Sequence, residues 1–356
     1  MRLLHLYIFI LSLFVYGCNS PSGNLSIGKI TSHQFLNPSI DTICTPKENL
    51  FLLGGAPADI GFINDNFLLA IGSHLVLYNN NGMQIKEFGR YGSGPGEYIK
   101  PSKLYISSKN IYIWCEQSLK LLVYDLNGNY ITEHKCIQHA IKNFIVWKDK
   151  YVCFLIYGHP ENKRIDIYDI KNQKHIQTIK QDDNTDDILA IANLSGGIFA
   201  MNDTLYWCNP SSTTIYNLSL NDPKHSTINN FTFIDHDFKI NKENSPSKEK
   251  INNSPNVAFD YIRNNSRIIQ AFNKSDTIIL LAETGISEYQ NKIIDHKKRK
   301  IKYYTLVNNS ETINSFTFDY PCNYGFIKGQ DKNINILTGY YTEDSLIMSL
   351  SKFDII

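Results

Sequence analysis

Apolar and polar residues alternate in short segments along most of this chain, and polar turns rich in Asn, Gly, Asp and Lys separate the segments. The clearest examples are residues 67–88, 111–134 and 151–179. Alternation with a period of two residues is typical of β-strands with one buried face. The 22 Tyr and 19 Phe add residues that favour strands. The chain is therefore predicted to be all-β.

The strand pattern repeats with a regular spacing. Tyr78, Tyr124, Tyr168 and Tyr216 each close a comparable strand, at intervals of 46, 44 and 48 residues. This is about the length of a four-stranded propeller blade. Tyr304 and Phe353 close equivalent strands further along the chain. The repeat predicts a six-bladed β-propeller of four-stranded antiparallel blades.

The interval from Tyr216 to Tyr304 is nearly twice as long as the others. Insertions near 235–256 and 283–302 account for the excess length. The first insertion is polar and rich in Pro, Ser, Lys and Asn, which predicts an excursion loop or a poorly ordered one. The second lengthens the hairpin of the fifth unit. The alternative is a seventh blade hidden within 217–303.

A propeller must close its ring, and a strand from one terminus often completes the blade built by the other. Residues 346–356 have the character of the third strand of the last unit. Residues 41–53 form an isolated strand segment ahead of the first unit. We therefore expect residues 41–53 to supply the missing outer strand, in a propeller domain that spans residues 39–356.

The N-terminus carries an export signal. Arg2 precedes an apolar run from Leu3 to Tyr16 that is too short for a permanent membrane span. Gly17 and Cys18 follow it and resemble the lipobox of bacterial lipoproteins. The resemblance implies that residues 1–17 are removed, that Cys18 is lipidated, and that residues 18–38 form a tether. The mature protein is expected to be anchored to the cell envelope at the outer membrane. A periplasm-facing orientation is favoured, and exposure at the cell surface stays the alternative.

The charge of the mature chain argues against a nucleic-acid partner. Removal of residues 1–17 removes one Arg from 35 Lys and Arg, which leaves 34 against 34 Asp and Glu. A nucleic-acid binder normally carries a basic excess.

The six cysteines beyond Cys18 include no closely spaced pair. They are predicted to be buried free thiols, and disulfide bonds between them are the alternative. These six are Cys44, Cys115, Cys136, Cys153, Cys208 and Cys322.

The most distinctive segment is the glycine-rich stretch 88–101, FGRYGSGPGEYIKP. It lacks the spacing of a phosphate-binding loop and is predicted to be a structural turn between two blades. The turn residues are Gly89, Gly92, Gly94, Pro95 and Gly96. Together with residues 101–130, this stretch resembles an NHL-type propeller repeat. With the lipobox, the chain resembles the six-bladed β-propeller lipoproteins of Bacteroidota, a resemblance that implies fold and location and assigns no catalytic residue.

The sequence contains no recognisable motif for catalysis or metal binding. Residues 182–187 are acidic, but they lack the Gly and Glu that an EF-hand loop requires. The sequence also has neither HExxH nor GxSxG. No cofactor is predicted, although Ca2+ or another divalent metal on the channel axis stays an open alternative.

Four Asp-Ser/Thr-aliphatic triplets resemble the O-glycosylation sites of exported Bacteroidota proteins. An Asp in a turn before a strand gives the same letters, so both interpretations stay open. The candidate modification sites are Thr42, Thr204, Thr277 and Ser345.

Loops between blades and loops between second and third strands share one end of a propeller. The side chains predicted there are polar and aromatic, which suits recognition of a protein or glycan. They are Arg90, Tyr91, Glu97, Tyr98, His74, Glu116, Gln117, His159, Asn209 and Tyr341. The predicted function is non-catalytic binding of an envelope protein or glycan by a membrane-anchored lipoprotein. The alternative is a metal-dependent enzyme of the lactonase or lyase type.

Overall fold

The structure is a computed structural model that describes most of the propeller region. The described residues are 25–35, 41–44, 57–135, 141–181, 188, 196–254, 256–285, 288–290, 293–295, 299–307, 312–319, 325–330, 333–341 and 346–354. The predicted signal peptide, Cys18, Ser345 and the acidic stretch 182–187 lie outside these ranges.

Two strands precede the first blade: β1 (Leu25–Phe35) and β2 (Asp41–Cys44). Blade 1 consists of β3 (Pro57–Ile63), β4 (Asn66–Ile71), β5 (His74–Tyr78) and β6 (Gln84–Glu87). The short strands β7 (Arg90–Tyr91) and β8 (Glu97–Tyr98) lie in the connection to blade 2. Blade 2 consists of β9 (Pro101–Ile106), β10 (Asn110–Cys115), β11 (Lys120–Asp125) and β12 (Tyr130–Lys135).

Blade 3 consists of β13 (Ile141–Trp147), β14 (Tyr151–Ile156), β15 (Lys163–Asp169) and β16 (Lys174–Lys180). Blade 4 consists of β17 (Gly197–Met201), β18 (Thr204–Cys208), β19 (Thr214–Ser219) and β20 (Asn229–Phe233). Between blades 4 and 5 lie a 3-10 turn (Lys242–Asn244) and the helices α1 (Lys248–Asn253) and α2 (Asn256–Arg263). A further 3-10 turn, Pro223–His225, precedes β20.

Blade 5 consists of β21 (Arg267–Lys274), β22 (Thr277–Gly285), β25 (Arg299–Val307) and β26 (Thr312–Asp319). Its central hairpin carries two extra strands, β23 (Glu288–Gln290) and β24 (Ile293–Asp295). Blade 6 consists of β27 (Gly325–Gln330), β28 (Asn333–Tyr341) and β29 (Leu346–Asp354), with β2 as its fourth strand.

The prediction of a six-bladed all-β propeller is confirmed. Each landmark aromatic residue lies in the third strand of its blade, so the spacing of these residues measured the blade length correctly. The long interval from Tyr216 to Tyr304 contains, in its described part, β20, the two helices and strands β21 to β24. The predicted ring closure is confirmed for the described part of residues 41–53, because Asp41 pairs with Lys352 and Cys44 with Leu350. Residues 45–53 lie outside the described ranges.

The hydrophobic core lies between neighbouring blades. First strands of successive blades contact each other, which places these strands nearest the axis and the blades around it in chain order. Between blades 1 and 2, Leu68 and Ala70 pack in one cluster with Ile113 and Leu122. Equivalent clusters join blades 2 and 3, 3 and 4, and 4 and 5. Strands whose two faces both meet a neighbouring blade are apolar along most of their length.

The N-terminal region differs from a simple tether. The predicted tether, residues 18–38, contains strand β1 (Leu25–Phe35). β1 runs parallel to the outer strand of blade 4, with Leu25 opposite Asn230 and Gly28 opposite Phe233. It then pairs with the outer strand of blade 5, where Lys29 lies opposite Thr312. It covers both outer edges and joins the two blades into one continuous sheet.

The first insertion is more ordered than a polar loop. Ser247 caps α1 by accepting a hydrogen bond from the Lys250 N–H. On α2, Ala258, Tyr261 and Ile262 recur at helical spacing and pack together with Ile188. The prediction of a loop rested on residues 235–256, whereas the apolar residues that dock α2 follow that range. No helix in the described ranges is long and apolar enough to cross a membrane.

Candidate functional site

The glycine-rich connection between blades 1 and 2 is folded back on itself. β7 and β8 pair in parallel, with Arg90 opposite Glu97 and Tyr91 opposite Tyr98. The predicted turn residues lie at its bends, and Gly89, Gly92 and Gly96 have positive φ. A Cβ at Gly92 would lie 2.1 Å from Glu97 Oε2, so only glycine leaves room for that carboxylate.

Glu97 holds the loop closed from within. Its Oε2 accepts a hydrogen bond from the Gly94 N–H at 2.8 Å, and its Oε1 accepts one from Arg90 Nε at 2.6 Å. The backbone hydrogen bond from Gly94 and the Arg90 guanidinium hold the pKa of Glu97 below its usual value. Arg90 and Glu97 therefore have a structural role across their own loop, although the Arg90 side chain is still 80% exposed.

Two buried tyrosines hold the same loop through hydrogen bonds to its backbone carbonyls. Tyr98 Oη donates to the Phe88 carbonyl at 2.5 Å, and Tyr124 Oη donates to the Gly96 carbonyl at 2.6 Å. Burial raises the pKa of both phenols, so both remain neutral donors at physiological pH. Tyr98, predicted as part of a binding face, is fully buried and serves the core instead.

Lys120 is the residue that sequence reasoning missed. Its side chain is 8% exposed, and Nζ donates to the carbonyls of Ser93 and Gly94 at 2.9 and 3.1 Å. It also forms an ion pair with Glu133 at 3.1 Å. Glu133 in turn accepts a hydrogen bond from the Gly96 N–H at 3.3 Å. The sequence showed only a Lys at the start of a strand, and nothing local revealed that its ammonium group would be buried against another loop.

These contacts hold a group of exposed side chains at one junction. Tyr91 is 67% exposed on the loop. Glu116 and Gln117 are exposed on the turn that immediately precedes Lys120. We call Arg90, Tyr91, Glu116 and Gln117 the blade 1–2 platform.

The other predicted face residues are distributed over different blades. His74 pairs with Glu87 of blade 1 at 2.7 Å, and His159 accepts a hydrogen bond from the Glu161 N–H at 3.1 Å. Asn209 is 2% exposed, and its Oδ1 has no partner. Tyr341 is the last residue of β28, opposite Leu346. Among the described residues, no hydrogen bond or ion pair joins His74, His159 or Asn209 to the platform.

The three described candidate glycosylation sites lie at or near strand starts, as either interpretation of the triplets requires. Thr204 opens β18 after a tight turn, and Thr277 opens β22 after a similar one. Asp203 accepts hydrogen bonds from Lys148 Nζ at 2.6 Å and Asn221 Nδ2 at 3.3 Å, so this Asp has a structural role. Thr42 lies in β2, and Ser345 is outside the described residues.

The thiols of blades 2, 3 and 4 match their prediction. Cys115, Cys153 and Cys208 are free and buried. Burial raises the pKa of Cys115 to about 12 and that of Cys153 further, so neither is a reactive thiolate. Within the described ranges, no three His, Cys, Asp or Glu side chains are grouped so that they could hold a metal ion.

Comparison with known proteins agrees with this architecture. A family model described as DUF5128, 6-bladed beta-propeller, matches residues 45–334, more than half of the 356-residue chain. The chain belongs to the DUF5128 family. No curated protein sequence matches it.

Solved structures that resemble this DUF5128 protein include two from Bacteroides species. One is a Bacteroides fragilis protein described as exported, with 13% identity and a TM-score of 0.58, over 93% of this chain and 100% of that one. The other is a member of the duf4221 family from Bacteroides vulgatus, with 14% identity and a TM-score of 0.53, over 89% of this chain and 96% of that one. At these identities, the likeness shows the fold alone.

Proposed function

We propose that this DUF5128 protein is an exported lipoprotein, anchored through Cys18, that binds an envelope protein or glycan at the blade 1–2 platform without chemical turnover. The observation that carries the proposal is the exposure of Tyr91 and Arg90 on a loop held by Glu97 and Lys120. Tyr and Arg are enriched among residues that dominate binding energy. A loop that is already ordered loses little entropy when a partner docks.

The location is supported by the sequence and by the neighbours. The apolar run before Gly17 and Cys18 has the length and the final residues of a lipoprotein signal. The Bacteroides fragilis structure is that of a protein described as exported. Substitution Cys18→Ser is expected to abolish incorporation of labelled palmitate and to release the protein from the membrane fraction. Retained label would contradict the lipobox assignment.

Photo-crosslinking in native membranes tests the binding site directly. A photoreactive benzoylphenylalanine replaces Tyr91 in one variant and Val307 in a control, because Val307 is also exposed but lies on blade 5. We expect a discrete adduct at position 91 and none at position 307. Protease treatment and glycosidase treatment of the adduct then identify the partner as protein or glycan. No adduct at position 91, or equal adducts at both positions, would refute the platform.

Alanine variants provide the matched test of affinity. Tyr91→Ala with Glu116→Ala should reduce partner recovery several-fold, while thermal stability stays nearly unchanged, because exposed positions contribute within about 0.5 kcal/mol. The control, Val307→Ala with Glu243→Ala, removes one exposed apolar side chain and one exposed carboxylate elsewhere. Metal-dependent hydrolysis of a lactone or ester by the purified protein would replace the binding proposal with the enzymatic alternative.

A further inference from the structure

Strand β1 fixes the point at which the N-terminal segment joins the propeller. Beyond its backbone pairing, Thr31 Oγ1 donates to the Ile313 carbonyl at 3.2 Å, and Ser32 Oγ donates to Asn314 Oδ1 at 2.7 Å. His33 Nδ1 and Ser315 Oγ are 2.8 Å apart. β1 is thus bonded to blade 5 through side chains as well as through its backbone. The chain enters the fold at the outer edge of blade 4, where Leu25 lies opposite Asn230.

The segment between Cys18 and this entry point is short. Leu25 is only seven residues after Cys18. A fully extended chain of that length reaches at most about 25 Å. A domain of some 300 residues has a radius of gyration of about 20 Å and is therefore about 50 Å across. A lipid on Cys18 therefore keeps the edge at which β1 enters the fold within about 25 Å of the membrane while β1 stays paired, and the opposite edge lies about 50 Å from that entry point.

The position of β1 on the ring determines which side of the propeller lies near the membrane. β1 lies on the junction of blades 4 and 5. With six blades in chain order, the junction directly opposite is that of blades 1 and 2, where the platform lies.

We propose that the anchored propeller stands with the outer edges of blades 4 and 5 against the membrane surface and presents the blade 1–2 platform to the side away from the lipid. This inference rests on the proposed lipidation of Cys18. It deepens the proposed function, because the platform then meets a protein or glycan approaching from the aqueous side and not the headgroups of the protein's own membrane.

Two matched labels test this orientation. Asn80 lies in the turn before the outer strand of blade 1, and Lys224 lies in the equivalent connection of blade 4; both are exposed. Asn80→Cys and Lys224→Cys are made separately, with Cys44, Cys136 and Cys322 replaced by Ser in both, and each is coupled to a fluorophore. The lipoprotein is purified from membranes and added to preformed phosphatidylcholine vesicles whose headgroups carry a quencher.

We expect the label at position 224 to be quenched several-fold more strongly than the label at position 80. Equal quenching, or stronger quenching at position 80, would overturn the orientation while leaving the anchor intact. Failure of the protein to float with the vesicles would overturn the anchor and the orientation together. Binding at the platform is measured separately by crosslinking at position 91.

A longer connection between Cys18 and β1 tests whether the length of this segment sets the orientation. Insertion of about twenty Gly and Ser residues after Gly23 creates a flexible linker whose fully extended length exceeds the width of the domain. The difference between the two labels should then largely disappear while vesicle binding persists. If the difference survives the insertion, the length of the connection does not set the orientation, and the inference is refuted.

Discussion

Gly28 lies where β1 passes from the edge of blade 4 to the edge of blade 5, and valine at this position tests how closely the strand approaches both blades. A Cβ there would lie 2.2 Å from Phe231 Cζ and 2.8 Å from Ile313 Cδ1. Carbon atoms in favourable contact are about 3.5–4.0 Å apart, so Phe231 or the strand itself must move by more than an ångström.

The expected effect of Gly28→Val follows from this overlap. Added methyl groups in a well-packed site destabilise a protein by about 1–3 kcal/mol. With an unfolding entropy of about 2.1 cal/mol/K per residue, the Tm should fall by about 2–5 °C. The clash is confined to one crossing, so β1 should detach more readily than any blade unfolds. Lys29, the next residue, should then become accessible to trypsin.

Calorimetry and limited proteolysis with mass spectrometry measure the two effects. Gln34→Val is the matched control, because it introduces the same side chain on the same strand at a residue that is already exposed. It should melt and resist trypsin like the wild-type protein. If Gly28→Val also behaves like the wild type in both measurements, β1 does not cross between Phe231 and Ile313 as closely as described.

Three further predictions follow from buried polar groups. Lys120→Met removes the cation that binds two loop carbonyls and leaves Glu133 without its ion pair, so stability should fall by about 1–3 kcal/mol. Amide exchange in residues 89–98 should accelerate, and unchanged exchange would contradict this role. Burial raises the pKa of Asp235, but hydrogen bonds from Lys302 and Tyr304 outweigh burial and hold it below its usual value. Its contribution to stability is present above the unfolded pKa of about 3.9 and is lost as the pH falls through the lower folded value. Asp235→Asn should therefore flatten the acid side of a stability–pH curve, and an unaltered curve would refute this. Finally, mapped alkylation of the native protein should spare the three buried thiols until urea unfolds it: Cys115, Cys153 and Cys208. Rapid native labelling at any of them would show that the core between the blades is open.

Much of the fold could be predicted from local sequence because each blade repeats the same order of short strands separated by turns. Tyr124, Tyr168, Tyr216 and Tyr304 each pack with a cluster that joins two neighbouring blades, so their spacing reports blade length without knowledge of any contact. The glycine-rich turn was predictable for a related reason: several of its residues require positive φ, which only certain residue types adopt readily.

Part of the candidate site was predictable for the same reason and part was not. Arg90 and Tyr91 were found because they lie within a conspicuous turn. The role of Lys120 depends on loop carbonyls 26 and 27 residues away in the chain, and a carbonyl carries no sequence signature. The grouping of His159 and Asn209 with the platform assumed that loops of one class meet, although each belongs to a different blade.

The sequence by itself determined that this chain forms strands, how many blades they build and which terminal segment closes the ring. Only the tertiary structure decided that Leu25–Phe35 would leave the tether and pair with blades 4 and 5. Alternation of apolar and polar residues identifies a strand and its buried face. It does not identify the partner, because every strand edge offers the same backbone N–H and C=O groups. The choice of edge depended on a close approach at Gly28 to residues more than 200 positions away, which no local pattern records.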